Sequence, residues 1–148
     1  MKTFFDDLRY SKEIMFHPFD AFYEMKFRSR GNIFVATLFY LLFGLVAIIH
    51  IQFGGFIVTF VKISELNSLF VFSGVIVPYL LFAVGNYSIT TLMDGKGRFS
   101  EIYKTIGYSL LPNIIFILIA TIVSNFITYD EIEFYTLFLV IGNGLTLF

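Results

Sequence analysis

The chain has 148 residues, of which 57% are apolar, 20% aromatic and only 14% charged. Soluble domains run roughly 45–50% apolar and about 25% charged, so an ordinary water-soluble domain is excluded, and the aromatic content excludes disorder. A net charge of −1 gives no footprint for a nucleic-acid partner, and zero cysteines remove disulfides, thiolate metal sites and Cys nucleophiles together.

The chain begins with a charged arm, residues 1–32. It lacks the continuous apolar core that a cleavable signal peptide requires. From Phe16 to Arg30 the aromatic residues Phe16, Phe19, Tyr23 and Phe27 recur at spacings of three and four, while Asp20, Glu24 and Arg28 repeat on another face. This spacing predicts an amphipathic interfacial helix. Pro18 suits its first position, Asp20 its first turn, and Glu24 and Arg28 form an i,i+4 pair. Phe19, Tyr23, Lys26, Arg28 and Arg30 are candidate contacts to a partner or to an anionic inner leaflet. Packing of the same helix on the protein's own bundle is the other reading.

Three stretches contain no Lys, Arg, Asp or Glu: between Arg30 and Lys62, from Asn67 to Met93, and from Thr105 to Tyr129. Each exceeds the ~20 residues that cross a ~30 Å hydrocarbon layer. Spanning helices are expected at 33–51, 68–92 and 110–128. The segment 52–67 is expected at the outer interface. A soluble bundle would need a polar stripe on each helix, and none has one. The fold class is all-α: a single membrane domain, 1–148, with three full spans, a partial fourth and the arm helix.

The partial fourth segment is 134–148. At ~1.5 Å per residue it reaches only about 22 Å. It reads as a span cut short, with a re-entrant half-span as the alternative. Lys and Arg number six in the arm, one after the first span, three after the second and none after the third. This alternation places the N-terminus in the cytoplasm.

Between the second and third spans, Asp94-Gly95-Lys96-Gly97 reads as a turn. Ser100 is a candidate N-cap for a second interfacial helix, with Phe99, Ile102, Tyr103, Ile106 and Leu110 on one face. Gly107 and Pro112 are expected to end or bend it before the third span. Asp94, Gly95, Gly97, Tyr103, Tyr108 and Pro112 complete the candidate docking residues.

Polar residues inside lipid need partners. Asn86, Thr91 and Asn113 are the candidate intramembrane contacts, and Asn86 is expected to hydrogen-bond Asn113 across the second and third spans. Two readings stay open. One is a polar permeation path hinged at Pro78, the other helix–helix adhesion. Gly44 and Gly74 are small enough for close helix approach. Catalytic groups do not converge: His17 and His50 fall at opposite ends, no phosphate-binding loop or nucleophile elbow occurs, and no cofactor or metal is expected.

The stretch Asn86–Pro112 resembles the cytoplasmic hinge of the YIP-domain (Ypt-interacting protein) family, its bacterial branch in particular. The resemblance rests on Asn86-Tyr87, Thr90-Thr91-Leu92, Asp94-Gly95-Lys96-Gly97, Ile102-Tyr103 and Gly107-Tyr108-Ser109-Leu110-Leu111-Pro112. His17-Pro18-Phe19-Asp20-Ala21-Phe22-Tyr23, followed by Arg30-Gly31, is similar to the arm of that branch. The resemblance implies a polytopic bundle with more spans than are read here and a cytoplasmic N-terminus, in this case in a bacterial cytoplasmic membrane. The structured cytoplasmic face, beside spans without ionisable groups, points to a non-enzymatic membrane scaffold or adaptor of that type, expected to meet a membrane-protein partner or a second copy through the arm and the 94–112 hinge. The alternative is a transport component, either a permease-like oligomer or an ABC-transporter accessory subunit.

Overall fold

The computed structural model describes Tyr10, Ile14 and residues 17–27, 31–58, 67–93, 95 and 97–147. All regular structure among the described residues is helical: α1 (Pro18–Phe27), α2 (Ile33–Phe53), α3 (Ser68–Leu92), α4 (Phe99–Ser124) and α5 (Ile132–Leu147), with a 3₁₀ turn, Tyr129–Glu131, before α5. The helices α2, α3 and α4 have 21, 25 and 26 residues, each long and apolar enough to cross a membrane. The protein is an integral membrane protein.

Side chains at the helix starts settle backbone groups that lipid cannot. Asn32 Oδ1 accepts from the N–H of Phe34 at 3.0 Å. Asn67 Oδ1 accepts from Leu69 and Phe70 at 3.1 and 3.2 Å. These are N-caps, and each satisfies donors that have no partner in the first turn. The expected cap at Ser100 is not the one used. The helix α4 starts two residues earlier, with Arg98 as N-cap and Glu101 accepting from the Arg98 N–H at 3.4 Å. A glutamate at that third position makes half of a capping box, which Ser100 has no means to supply.

The largest departure from the sequence reading is α4. The interfacial helix and the third span form one helix, and neither Gly107 nor Pro112 breaks it. Gly107 serves contact instead: a Cβ there would lie 2.9 Å from Ala36 Cβ, so the glycine lets α4 press against α2. Pro112 removes one backbone bond, and the packed neighbours of a buried helix hold it in line. The third span is therefore the second part of Phe99–Ser124, ending four residues before the expected 128. Of the expected arm helix 16–30, Pro18–Phe27 is helical among the described residues, and Phe16 and 28–30 lie outside them. The final helix begins two residues earlier than expected, after Glu131 accepts from Thr128 N–H at 3.2 Å.

α4 is the centre of the bundle, with α2 on one side and α5 on the other. α3 packs chiefly on α2, where Gly44 admits the Phe72 ring and Phe43 meets Tyr79 edge-on at 5.4 Å. Its outer side is apolar and open: Leu69, Phe70, Leu81 and Phe82 are all more than half exposed. That is a lipid-facing surface. Gly74 lies on it with nothing within 4 Å, so the close approach expected there does not occur within the chain.

Candidate functional site

The core is densest at the arm end of the bundle. Gly31 has φ +86°, in the left-handed region that L side chains rarely adopt, and this turn folds α1 back onto α4. Met25 is 1% exposed, against Gly31 and within 3.6 Å of the Thr105 hydroxyl. Tyr108 is fully buried beneath the arm. Its hydroxyl accepts from the Asn32 N–H at 3.3 Å, and its ring meets those of Phe39 and Tyr10 edge-on at 5.3 and 6.2 Å. Tyr10 in turn donates its hydroxyl proton to the Ala21 carbonyl. Lys104 is buried, its Nζ 3.4 Å from the Gly31 carbonyl oxygen. An ammonium group so placed holds the end of the arm by a charge-assisted contact.

One turn earlier on α4, Tyr103 stacks on Tyr40 at 4.9 Å and shares a hydrogen bond with Thr37 at 3.1 Å. Phe99 bridges Tyr103 and Tyr87, at 6.3 and 5.6 Å. The turn from α3 to α4 closes through Gly95, whose N–H donates to the Thr90 carbonyl at 2.8 Å. A side chain at Gly95 would collide with that same oxygen. The result is a braced platform of arm, α2 and α4; Tyr23 on the arm, Leu92 and Met93 at the end of α3, and Phe99 at the start of α4 are exposed.

The candidate docking residues separate on this platform. Tyr23 is 62% exposed on α1. Tyr103 is half-buried, and Gly95 and Gly97 form the turn. Tyr108 and Pro112, expected at the docking surface, are buried within the bundle. Both lie on the helix face that meets α2 and α5, which the sequence pattern does not separate from the outer face. Phe19 and Lys26 lie on α1, with side chains outside the described residues, as are Arg28, Arg30 and Asp94. The expected Glu24–Arg28 pair falls outside them as well.

The intramembrane pairing also differs from expectation. Asn86 and Asn113 do not bond each other. Asn86 donates to the Phe82 carbonyl of its own helix at 3.0 Å, and Thr91 to Tyr87 of the same helix at 2.8 Å. Asn113 donates to Asn143 Oδ1 on α5 at 3.1 Å. The reason is the packing: α4 sits against α5 along this stretch, with α3 turned toward α2. Asn86 instead lines a cavity of about 470 Å³ between α3 and α4, and Pro78 a neighbouring one of about 230 Å³.

A further polar network lies at the opposite end. His50 Nδ1 pairs with Thr121 Oγ1 and its Nε2 with the Tyr135 hydroxyl, both at 2.8 Å, joining α2, α4 and α5. Beside it, Gly55 donates to Ser124 Oγ at 2.8 Å and Asn125 to the Phe53 carbonyl at 2.9 Å. Sequence reasoning placed His50 at this end and missed its partners, because nothing in spacing alone aligns three separate helices. Among the described residues no three His, Asp or Glu side chains converge to hold a metal.

A family model described as the Yip1 domain matches residues 12–148. No curated protein and no solved structure matches the chain.

Proposed function

Because the chain belongs to the Yip1 domain family, we propose that it is a non-enzymatic membrane scaffold or adaptor that meets its partners on the platform of arm and hinge. The observation that supports this most is the locking of α1 on α4 through Gly31, Met25, Tyr108 and Lys104. Burying a side chain such as Met25 contributes about 1.5–3 kcal/mol, enough to hold a ten-residue helix that is not stable by itself. An arm held in this way presents the exposed Tyr23 at a fixed place on the bundle, as a docking surface requires. In this reading the platform faces the cytoplasm of a bacterial cell, with the basic arm toward anionic lipid.

The test is co-purification of the natural full-length protein from its own membrane, with bound proteins identified by mass spectrometry. Tyr23→Ala combined with Arg28→Ala is expected to strip the partner while leaving the bundle folded. Full retention by that variant rejects the platform as the docking surface.

A transport component is the second reading, supported by the two cavities beside Asn86 and Pro78. Substrate flux in liposomes that is unchanged by Asn86→Leu rejects it.

A further inference from the structure

The two cavities between α3 and α4 are neighbouring chambers of one groove. Phe82 and Ile106 line both and divide them. Phe82 is 58% exposed, so its ring can turn without opening a core. The combined space falls in the ~300–1,000 Å³ range of small-molecule sites.

The two chambers differ in chemistry, and the difference follows the membrane normal. The chamber near the helix ends, where α3 finishes and α4 begins, carries Asn86, Thr90, Glu101 and Thr105. The deeper one is walled by Pro78, Tyr79, Phe82 and Ile106, with the hydroxyl residues Ser109 and Thr146, and no charged residue is among its described lining. A charged end at the interface and an uncharged end in the hydrocarbon match a lipid standing in the same leaflet.

The hydrogen-bond accounting sharpens the match. Asn86 spends an amide proton on the Phe82 carbonyl, Thr90 its hydroxyl proton on the Asn86 carbonyl, and Thr105 its proton on the Glu101 carbonyl. What remains on these lining residues is mainly acceptor capacity: Asn86 Oδ1, two hydroxyl oxygens and the Glu101 carboxylate, with one further Asn86 amide proton as donor. Among the described residues the Glu101 carboxylate takes the Arg98 N–H, at 3.4 Å. No lysine or arginine is among the described residues lining the chamber. Acceptors beside a carboxylate disfavour a headgroup that is anionic only and suit one that also brings positive charge and donors, with the remaining Asn86 amide proton free for its phosphodiester.

We propose that this groove holds one membrane lipid with a primary-ammonium headgroup. The ammonium sits among Glu101, Asn86 and Thr90, and an acyl chain passes Phe82 toward Pro78. The outer chamber borders the platform at Met25 and Gly97, but the proposal does not depend on the adaptor reading.

The test is native mass spectrometry of the full chain, taken from nanodiscs with equal parts of phosphatidylethanolamine, phosphatidylcholine and phosphatidylglycerol of matched acyl chains. Wild type is expected to retain phosphatidylethanolamine several-fold over the other two. Glu101→Gln keeps the capping bond, since glutamine also serves at that position, and is expected to bring the preference to parity at unchanged helix content. Thr90→Val, which removes one acceptor at constant shape, is expected to lower it less. Equal retention of all three lipids by wild type overturns the proposal. So does a preference for phosphatidylglycerol, or an ethanolamine preference that both variants preserve.

Discussion

Tyr108 and Asn32 are 76 positions apart, yet the Tyr108 hydroxyl lies 3.3 Å from the Asn32 backbone nitrogen. Asn32 also caps α2, so a single phenol joins the arm turn, the first span and the central helix. The bond and the ring separate cleanly by mutation. Tyr108→Phe keeps the ring contacts with Phe39 and Tyr10 and is expected to cost about 0.5–1.5 kcal/mol. Tyr108→Ala opens a cavity under the arm and is expected to cost about 3–5 kcal/mol. Thermal unfolding in nanodiscs checks both, and equal losses in the two variants would contradict the assignment.

Gly31 supplies the second constraint on the arm. Its φ of +86° is unfavourable for any other residue, and a Cβ there would lie 3.3 Å from Met25 Cε. Gly31→Ala is expected to cost about 1–2 kcal/mol through the left-handed backbone. The loss falls on the arm and not on the spans. Hydrogen exchange should therefore quicken in Pro18–Phe27 while the amides of Ile33–Phe53 stay protected.

Glycines on the spans separate in the same manner. A Cβ on Gly107 meets Ala36 at 2.9 Å, against nothing within 4 Å for Gly74. Gly107→Val is expected to force α2 from α4 at a cost of about 1–3 kcal/mol. Gly74→Val is expected to leave monomer stability unchanged. If the second substitution alters oligomeric mass by light scattering, the exposed face of α3 is a contact between copies.

Much of the fold is legible in the charge-free stretches and in the asparagines that precede them. Asn32 and Asn67 are N-caps, and the segments behind them have no alternative in lipid to forming helices. What the sequence hides has physical reasons. Pro112 is a helix breaker in water, but inside a packed bundle its lost bond is offset by neighbours, so its presence does not mark the end of α4. The pairing of Asn113 with Asn143, not Asn86, depends on which neighbour α4 faces. Apolar spans look alike all the way round, so no stripe records that choice. The same blindness conceals Tyr108, whose burial under the arm depends on a turn at Gly31.

The network His50–Thr121–Tyr135 gives a test by double-mutant cycle. Each bond is 2.8 Å, and the three residues come from three helices. Interhelical hydrogen bonds in membranes contribute about 0.6–2 kcal/mol. Tyr135→Phe and Thr121→Val each remove one bond to the imidazole, and His50→Leu removes both. His50→Leu combined with Tyr135→Phe is expected to cost less than the sum of the singles, because the two share one bond. Strict additivity in nanodisc thermal unfolding would show that the imidazole and the phenol do not interact.

Asn113 is 1% exposed, and its side chain is only half satisfied. Its amide nitrogen donates to Asn143 Oδ1 and its side chain also meets the Tyr79 hydroxyl, but its own Oδ1 has no hydrogen-bond partner among the described residues. Asn143 differs, since it also donates to the Leu139 carbonyl on its own helix at 2.9 Å. Removing a group that is already unsatisfied recovers its desolvation penalty, whereas removing its partner adds a new one. Asn113→Leu therefore offsets a lost bond with a relieved buried oxygen and is expected to change stability by less than about 1 kcal/mol. Asn143→Leu takes the best acceptor from the Asn113 amide and leaves it the Tyr79 hydroxyl alone, with an expected loss of about 1–3 kcal/mol. The ordering, with the more exposed residue giving the larger loss, is the reverse of what burial alone predicts. Thermal unfolding of the two variants side by side decides it, and a larger loss for Asn113→Leu would mean that the buried oxygen has a partner in the membrane.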